Sequence, residues 1–491
     1  MNEEIIDQAN ILGIGTAIAF ILEFGLRAVL VLTLLWRRRV QPETRVAWIL
    51  MILALPLVGT IFYLMIGEVR FGRTRINRHR RILNEVEADC AHASSVPGLA
   101  ANHLLNRRDR QIANLAEQIS SSGPVRGNDI QLLGDTDEAA RLIIEDIDAS
   151  KSTCHFVFYI WLDDKIGTAV GEALIRASQR GVTCRVLVDA VGSRGFLKSA
   201  LCKTMRRGGV HVVAALPANP VRALFSRLDL RNHRKIIVID SEIGWTGSQN
   251  MADAAFAPKP DFAPWVDCVI RLRGPVLHEL QILFIEDWYL DTDEFLADEL
   301  TAQCPEPEGE MIAQVVATGP NFMTTAATQL IQACIQSATA EITLTTPYFV
   351  PDSASILNLA VAARRGVKVE LVVPKRNDSR LVGLASRGHY GILLEAGVHI
   401  HEFTGGLLHA KTICIDRSTA LITSANLDRR SYNLNFEAGV IAYDNNLASQ
   451  LRYLQQSYIE QSEMVNPRTW HDRPGYRRLL ENSAGLLSPL L

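Results

Sequence analysis

From about residue 125 onward, apolar and polar positions run through one order of elements twice. In the first pass, CHFVFYIW (154–161) is an apolar run of strand length, and AVGEALIRASQRG (169–181) is a helix closing at Gly181. VTCRVLVDA (182–190) follows as a strand, a second helix ends at RRGGV (206–210), and HVVAAL and RKIIVID are further strands. In the second pass, EITLTTPYFV (341–350), ILNLAVAARRG (356–366), VKVELVVP (367–374), GILLEAG (391–397), VHIHEF (398–403) and KTICID (411–416) repeat the order. Val/Ile-rich strands alternating with longer helices predict an α/β fold of two similar halves, each with a mostly parallel sheet. The halves are placed at 129–305 and 306–491, joined near QCPEPEGE (303–310), with a C-terminal helix LASQLRYLQQSYIEQS (447–462) on the second. A basic segment and helical connector (71–128) precedes them and ends in the turn-rich SSSGPVRGND (120–129).

The first 70 residues have a different pattern. VAWILMILALPLVGTIFYLMI (46–66) carries no charge and is long enough to span a bilayer core. LGIGTAIAFILEFGLRAVLVLTLLW (12–36) is long enough too but contains Glu23 and Arg27, which at i, i+4 neutralise each other along one face. A transmembrane two-helix hairpin over 1–70 is the expectation, not a cleaved signal peptide, because the basic cluster follows the apolar run. Arginines 37, 38, 39 and 45 lie in the connecting loop, whereas 70, 73, 75, 78, 80 and 81 follow the second span, so the charge rule favours a cytoplasmic body.

Composition narrows the class. A chain of 491 residues needs more than one core, and a net charge of −3 argues against bulk nucleic-acid binding. Eight cysteines with no CxxC spacing read as core thiols in a reducing compartment.

The chemistry sits in a duplicated stretch. NHRKIIVID (232–240) and LHAKTICID (408–416) place His233, Lys235 and Asp240, then His409, Lys411 and Asp416, at one spacing, 176 positions apart. On a strand, His and Lys at i and i+2 share a face, whereas the Asp, at an odd offset of seven, falls off it and takes a structural place at the strand end. Ser248 and Asn250, matched by Ser424 and Asn426, follow at +15 and +17. Neither cluster has the ligand count of a metal site. Sheet packing asks for apolar residues, not for a repeated His, Lys, Ser and Asn. Displacement at a phosphodiester does ask for them: one imidazole attacks, the other protonates the leaving alkoxide, and the ammonium and amide groups hold the phosphate oxygens. One copy is then half a site.

HRKIIVID…TGSQN and HAKTICID…TSAN resemble the twin HxKxxxxD motifs of the phospholipase D superfamily. The N-terminal hairpin running into YLMIGEVRFGRTR, with VFYIW, TTPYFVP, PKRNDS and NLDRRSYNLNFE, is similar to bacterial cardiolipin synthases of the ClsA type. The resemblance implies two phospholipase D-like halves behind a membrane hairpin in the bacterial inner membrane. It also implies condensation of two phosphatidylglycerols to cardiolipin and glycerol through a phosphatidyl-histidine, with no metal or other cofactor. Carried onto this chain, the motif residues His233, Lys235, Asp240, His409, Lys411 and Asp416 form the catalytic set. Ser248, Asn250, Ser424 and Asn426 contact substrate, and Asp267 and Glu437 orient the imidazoles. His233 is taken as the nucleophile, although the spacing leaves the choice between the two histidines open. The expected partners are phosphatidylglycerol and the bilayer, with no nucleic acid, and a homo-oligomer is left open. One departure stands out: Gly247-Ser248 in the first half becomes Thr423-Ser424 in the second.

Tyr159, Trp161, Tyr348 and Phe349 close the first strand of each half, as core or as lining of a lipid path. Arg231 and Arg234 flank the first motif, where exposed cations would attract an anionic headgroup. His211, His399 and His401 receive no role, and Asp163 and Asp164 read as a turn. Alternatives with the same site are a phospholipase D using water, a transphosphatidylase using another alcohol, and a nuclease. A non-catalytic scaffold binding anionic lipid is the alternative from another class.

Overall fold

The computed structural model describes residues 2–37, 42–67, 73–89, 92–217, 227, 229–300, 304–320 and 325–486. Arg38, Arg39, Arg70, Cys90 and Gln303, all used in the sequence reading, lie outside the described residues. The chain forms two compact units: residues 1–73 with 218–229, and residues 74–217 with 230–491.

In the first unit, α1 (Asn2–Trp36) contains the one helix segment among the described residues long and apolar enough to cross a membrane, Gly15–Trp36. Glu23 and Arg27 form the expected i, i+4 ion pair at 2.8 Å. The second apolar stretch is broken into α2 (Pro42–Ala54) and α3 (Pro56–Phe62), followed by a π-helical turn, Tyr63–Gly67. The break falls at Leu55 (φ −124°, ψ 77°), because Pro56 drives the residue before it out of the helical region. Leu30, Leu34, Trp48, Ile52 and Tyr63 form a small buried cluster, while Phe20, Ile21, Leu22 and Phe24 stand exposed.

The second unit is built on one long sheet. Its first half supplies β1 (Val125–Leu133), β2 (Thr153–Phe158), β3 (Thr183–Asp189), β4 (His211–Ala215), β5 (Arg231–Asn232), β6 (Lys235–Ile239), β7 (Ile243–Gly247), β8 (Trp265–Val266) and β9 (Val269–Arg273). The second supplies β10 (Met311–Thr318), β11 (Glu341–Thr345), β12 (Phe349–Val350), β13 (Lys368–Pro374), β14 (His399–Phe403), β15 (Leu407–Leu408), β16 (Thr412–Ile415), β17 (Thr419–Thr423), β18 (Leu427–Asp428), β19 (Asn435–Tyr443) and β20 (Ser462–Met464). The order is β20-β14-β13-β11-β16-β17-β19-β10-β1-β9-β7-β6-β2-β3-β4. Read outward from the antiparallel β1–β10 seam, the two halves repeat the same strand sequence.

The sheet is mixed, not mostly parallel as the alternation of strands and helices predicts. Within it, parallel pairing occurs in β2-β3-β4 and β11-β13-β14, where helices make the crossovers, and between the short β5 and β19. The motif strands β6 and β16 enter antiparallel and continue into β7 and β17 through tight hairpins. Asp240 and Ser241 in one hairpin, and Asp416 and Arg417 in the other, take left-handed backbone (φ 49–55°). Helix Val276–Thr292 is buried along almost its whole length against the first half. Helix Asn445–Glu460 buries Leu447, Leu451 and Tyr458 in the same core. The connector is helical in part: Arg73–Asp89, two short 3-10 turns, and Arg107–Ser120. Cys154, Cys184, Cys202, Cys268, Cys334 and Cys414 are buried free thiols, and Cys304 is half-buried.

Candidate active site

Each motif histidine is preceded by a two-residue strand paired in parallel with the other half. β5 pairs with the start of β19, and the His233 N–H donates to the Phe436 carbonyl at 2.9 Å. β15 pairs with β8, and the His409 N–H donates to the Val266 carbonyl at 2.7 Å. Each histidine therefore meets a carboxylate from across the repeat. His233 Nδ1 lies 2.9 Å from Glu437 Oε2, and His409 Nδ1 lies 2.6 Å from Asp267 Oδ1. With Nδ1 engaged, Nε2 is the nitrogen left for chemistry in both rings.

Lys235 begins β6 and Lys411 immediately precedes β16, and both turn back so that each Nζ donates to the carbonyl of its own histidine, at 2.6 and 2.8 Å. All four side chains are buried. Burial, with both ammonium groups acting on each ring and the carboxylates opposing, pushes His233 and His409 down to about 4. That reciprocal influence joins the two halves into one electrostatic site. Burial likewise lowers Lys235 to about 8; burial and the neighbouring Lys235 charge lower Lys411 to about 7. Burial works against ionisation of Asp267 too, but the His409 and Lys411 charges and the Ser248 hydroxyl outweigh it and hold the carboxyl at about 2. Glu437 is held below its usual range in the same manner, by His233, Lys235 and Ser424 against burial.

Ser248 and Ser424 meet the carboxylates that pair with the imidazoles. The Ser248 hydroxyl donates to Asp267 Oδ1 at 2.6 Å and accepts the Cys268 N–H at 3.0 Å. The Ser424 hydroxyl donates to Glu437 Oε2 at 2.5 Å and accepts the Ala438 N–H at 3.0 Å. Each hydroxyl commits its one proton to a carboxylate. Each half thus holds the carboxylate that orients the other half's imidazole.

Asp240 and Asp416 do not join the imidazoles. Each sits at the far end of its strand, about 16 Å from the motif lysine at ~3.3 Å per residue. Asp240 accepts the N–H groups of Lys151, Ser152 and Thr153 at 2.7–2.8 Å. Asp416 does the same for Thr339, Ala340 and Glu341 at 2.8–2.9 Å. An Asp tolerates the left-handed turn and gathers the amides that open the neighbouring strand, which accounts for the last motif letter.

Asn250 Oδ1 accepts the Ile160 N–H at 3.3 Å, and the buried Asn426 Oδ1 has no hydrogen-bond partner among the described residues. The Thr423 departure is compensated across the strand pair. Gly247 faces Val269 in the first half and Thr423 faces Gly439 in the second. A Cβ on Gly247 would meet Val269 Cα at 2.7 Å, and one on Gly439 would meet Thr423 Cβ at 2.8 Å. The small residue has changed strands, and Ser424 keeps its position.

Two aromatic rings pack against the imidazoles. Tyr159 meets His233 edge-on at 4.8 Å between centroids, and Trp265 meets His409 at 4.6 Å while stacking on Phe256 at 3.8 Å. Trp161 and Phe349 are core. Trp265 escaped the sequence reading, although its position two residues before Asp267 would have placed both on one face of a strand. Arg231 and Arg234 are buried, not exposed as expected. Arg231 pairs with Asp189 at 3.2 Å, and Arg234 pairs with Asp287 at 2.7 Å and donates to the Glu437 carbonyl at 3.2 Å.

Residues 143–288 and 331–457 match the family described as "Cardiolipin synthase, PLD-like domain", and residues 28–68 match "Phospholipase_D-nuclease N-terminal". The fold is similar to phosphatidylserine synthase of Haemophilus influenzae, with a TM-score of 0.58 and 16% identity, covering 79% of this chain and all of that one. Fold and site together define a duplicated phospholipase D-like protein. Cardiolipin synthase A of Edwardsiella ictaluri is 36% identical, over 97% of this chain and 99% of its own length. The same protein of Pectobacterium carotovorum is also 36% identical, with equal coverage. The chain belongs to the cardiolipin synthase family of phospholipase D-like enzymes.

Proposed function

We propose that this phosphatidyltransferase makes cardiolipin from two phosphatidylglycerols at the paired His–Lys site, with His233 as nucleophile and His409 as acid and base. The single observation that carries the reading is the crossed carboxylate–imidazole pairing, which leaves two Nε2 atoms for one phosphorus. A phosphodiester anion held by Lys235, Lys411, Asn250 and Asn426 brings negative charge to imidazoles that rest neutral, and raises their proton affinity. Both imidazoles rest neutral, and we assign His233 to attack and His409 to protonate the leaving oxygen, a choice that the labelling test below decides. Nε2 of His233 forms a bond to phosphorus as the bond to the glycerol oxygen breaks, and His409 gives that oxygen its proton. His409 then takes the proton from a hydroxyl of the second phosphatidylglycerol. That oxygen displaces His233, releasing cardiolipin.

The first two apolar segments are read as a hairpin whose second arm is kinked at Leu55–Pro56, with the body on the cytoplasmic face of the bacterial inner membrane. The division into 1–70, 71–128, 129–305 and 306–491 follows from that reading.

The test incubates purified enzyme with radiolabelled phosphatidylglycerol alone, then quenches. Free glycerol and a four-chain lipid are expected from the unmodified enzyme. Quenched during turnover with the label in the phosphatidyl group, the unmodified enzyme is expected to carry label on protein and His233→Ala none. His409→Ala, lacking the acid for the first step, is expected to turn over at background. Phosphatidic acid as the main product would replace the transferase by a hydrolase, and label retained by His233→Ala would exchange the two roles.

A further inference from the structure

Helix Gly475–Leu486 is turned inside out for a surface helix. Its buried residues are Glu481 and Ala484, with Glu481 ion-paired to Arg473 at 2.8 Å. Its large apolar residues face outward: Tyr476, Leu479, Leu480 and Leu486 are 61, 67, 52 and 82% exposed. At about 100° per residue these four fall on one arc of about 120°, with Glu481 on the far side of the helix and Ala484 beside the edge of the arc. The helix packs on Arg380–Gly388, whose Leu381 is also exposed. Arg380, Arg477 and Arg478 are exposed around this stripe, and among the described residues none has an ion-pair partner.

We propose that this face docks onto the surface of an anionic phospholipid bilayer. A stripe of Leu and Tyr bordered by arginines is the chemistry of a helix lying at the headgroup boundary, with apolar side chains in the acyl region and guanidinium groups on the phosphates. A second copy fits poorly: a twofold contact through one short helix would bring arginines against arginines and bury far less than the roughly 800 Å² per partner of a stable interface. The docking goes beyond the proposed reaction, and the first measurement of it needs no turnover.

The full-length protein carrying Leu480→Cys, labelled with bimane, is reconstituted into phosphatidylethanolamine–phosphatidylglycerol vesicles and into phosphatidylcholine vesicles. The labelled unsubstituted protein provides the background. A blue shift confined to the anionic vesicles and shrinking with added salt is expected. Equal emission in the two vesicle types would overturn the proposal, as would a shift in detergent micelles that grows with protein concentration, the mark of a second copy. In parallel, Leu479→Ser/Leu480→Ser is expected to slow turnover of phosphatidylglycerol in vesicles several-fold and to leave turnover of micellar short-chain phosphatidylglycerol unchanged. Equal loss on both substrates would make the helix structural and defeat the docking.

Discussion

His409 Nδ1 and Asp267 Oδ1 are 2.6 Å apart, although 142 residues and the repeat boundary separate them. His233 and Glu437 form the reciprocal pair over 204 residues. Replacing either carboxylate leaves the partner imidazole free to take the wrong tautomer. Asp267→Asn is expected to lower kcat by about 10²–10⁴-fold while the melting temperature stays close to that of the parent. Glu437→Gln should behave alike. A large fall in melting temperature would show that the pair serves folding instead.

Ser248→Ala tests the next link. The hydroxyl contributes one hydrogen bond to a carboxylate that keeps its imidazole, a loss of ~0.5–1.5 kcal/mol. Activity should fall about 2–10-fold with KM unchanged. A rise in KM without a fall in kcat would return the serine to the substrate.

The pH response follows from the buried site. The imidazoles are held near 4 and the ammonium groups near 7 and 8, so kcat/KM should fall as pH drops through about 4 and the nucleophile takes a proton. It should also fall as pH rises above about 4, first as His409 loses the acid proton and then more steeply through 7 to 8 as the ammonium charges go. Stability moves too. Both histidines have folded values below the unfolded ~6.5, so between that value and about 4 the unfolded chain binds more protons and stability decreases as pH decreases. Thermal melts across that window check the sign, and His233→Gln should flatten part of the slope.

Asp240→Ala removes the acceptor for three N–H groups and the residue suited to the left-handed turn. A destabilisation of about 1–3 kcal/mol is expected from the unsatisfied amides. Asp240→Asn, which keeps the turn preference, should cost less. Correctly folded variants should retain kcat, which a catalytic carboxylate would not permit.

Gly247→Thr copies the second half into the first without the matching glycine opposite. With Val269 Cα at 2.7 Å and the Cys268 oxygen at 2.4 Å from the added Cβ, the strand pair must separate, at a cost of about 1–3 kcal/mol or more. Thr423→Gly, which only removes atoms, should cost about 1 kcal/mol. Melting curves of the two variants decide whether the compensation is real.

The duplicated α/β halves and the His–Lys sets were legible because they rest on local periodicity and on one motif occurring twice. The direction of β6 and β16 was not: a strand's own pattern does not say whether a helix or a loop returns it to the sheet. The pairing of His233 with Glu437 was hidden for a related reason, since it depends on β5 lying beside β19, a contact between residues 204 positions apart. Arg231 and Arg234 look like surface residues in sequence. Their partners Asp189 and Asp287 come from the end of β3 and from a buried helix, neither of which the flanking sequence announces. The Ser248 contact with Asp267 was hidden too, because spacing marks a site but not which neighbour receives a hydroxyl proton.

The tiny strands β5 and β15 thread each motif through the opposite copy. Neither gene segment of the duplication is self-sufficient: each supplies the reactive ring for one role and the clamp for the other. A change that loosens one copy is felt first by chemistry performed in its twin, so the two inherited segments are held to a common fate.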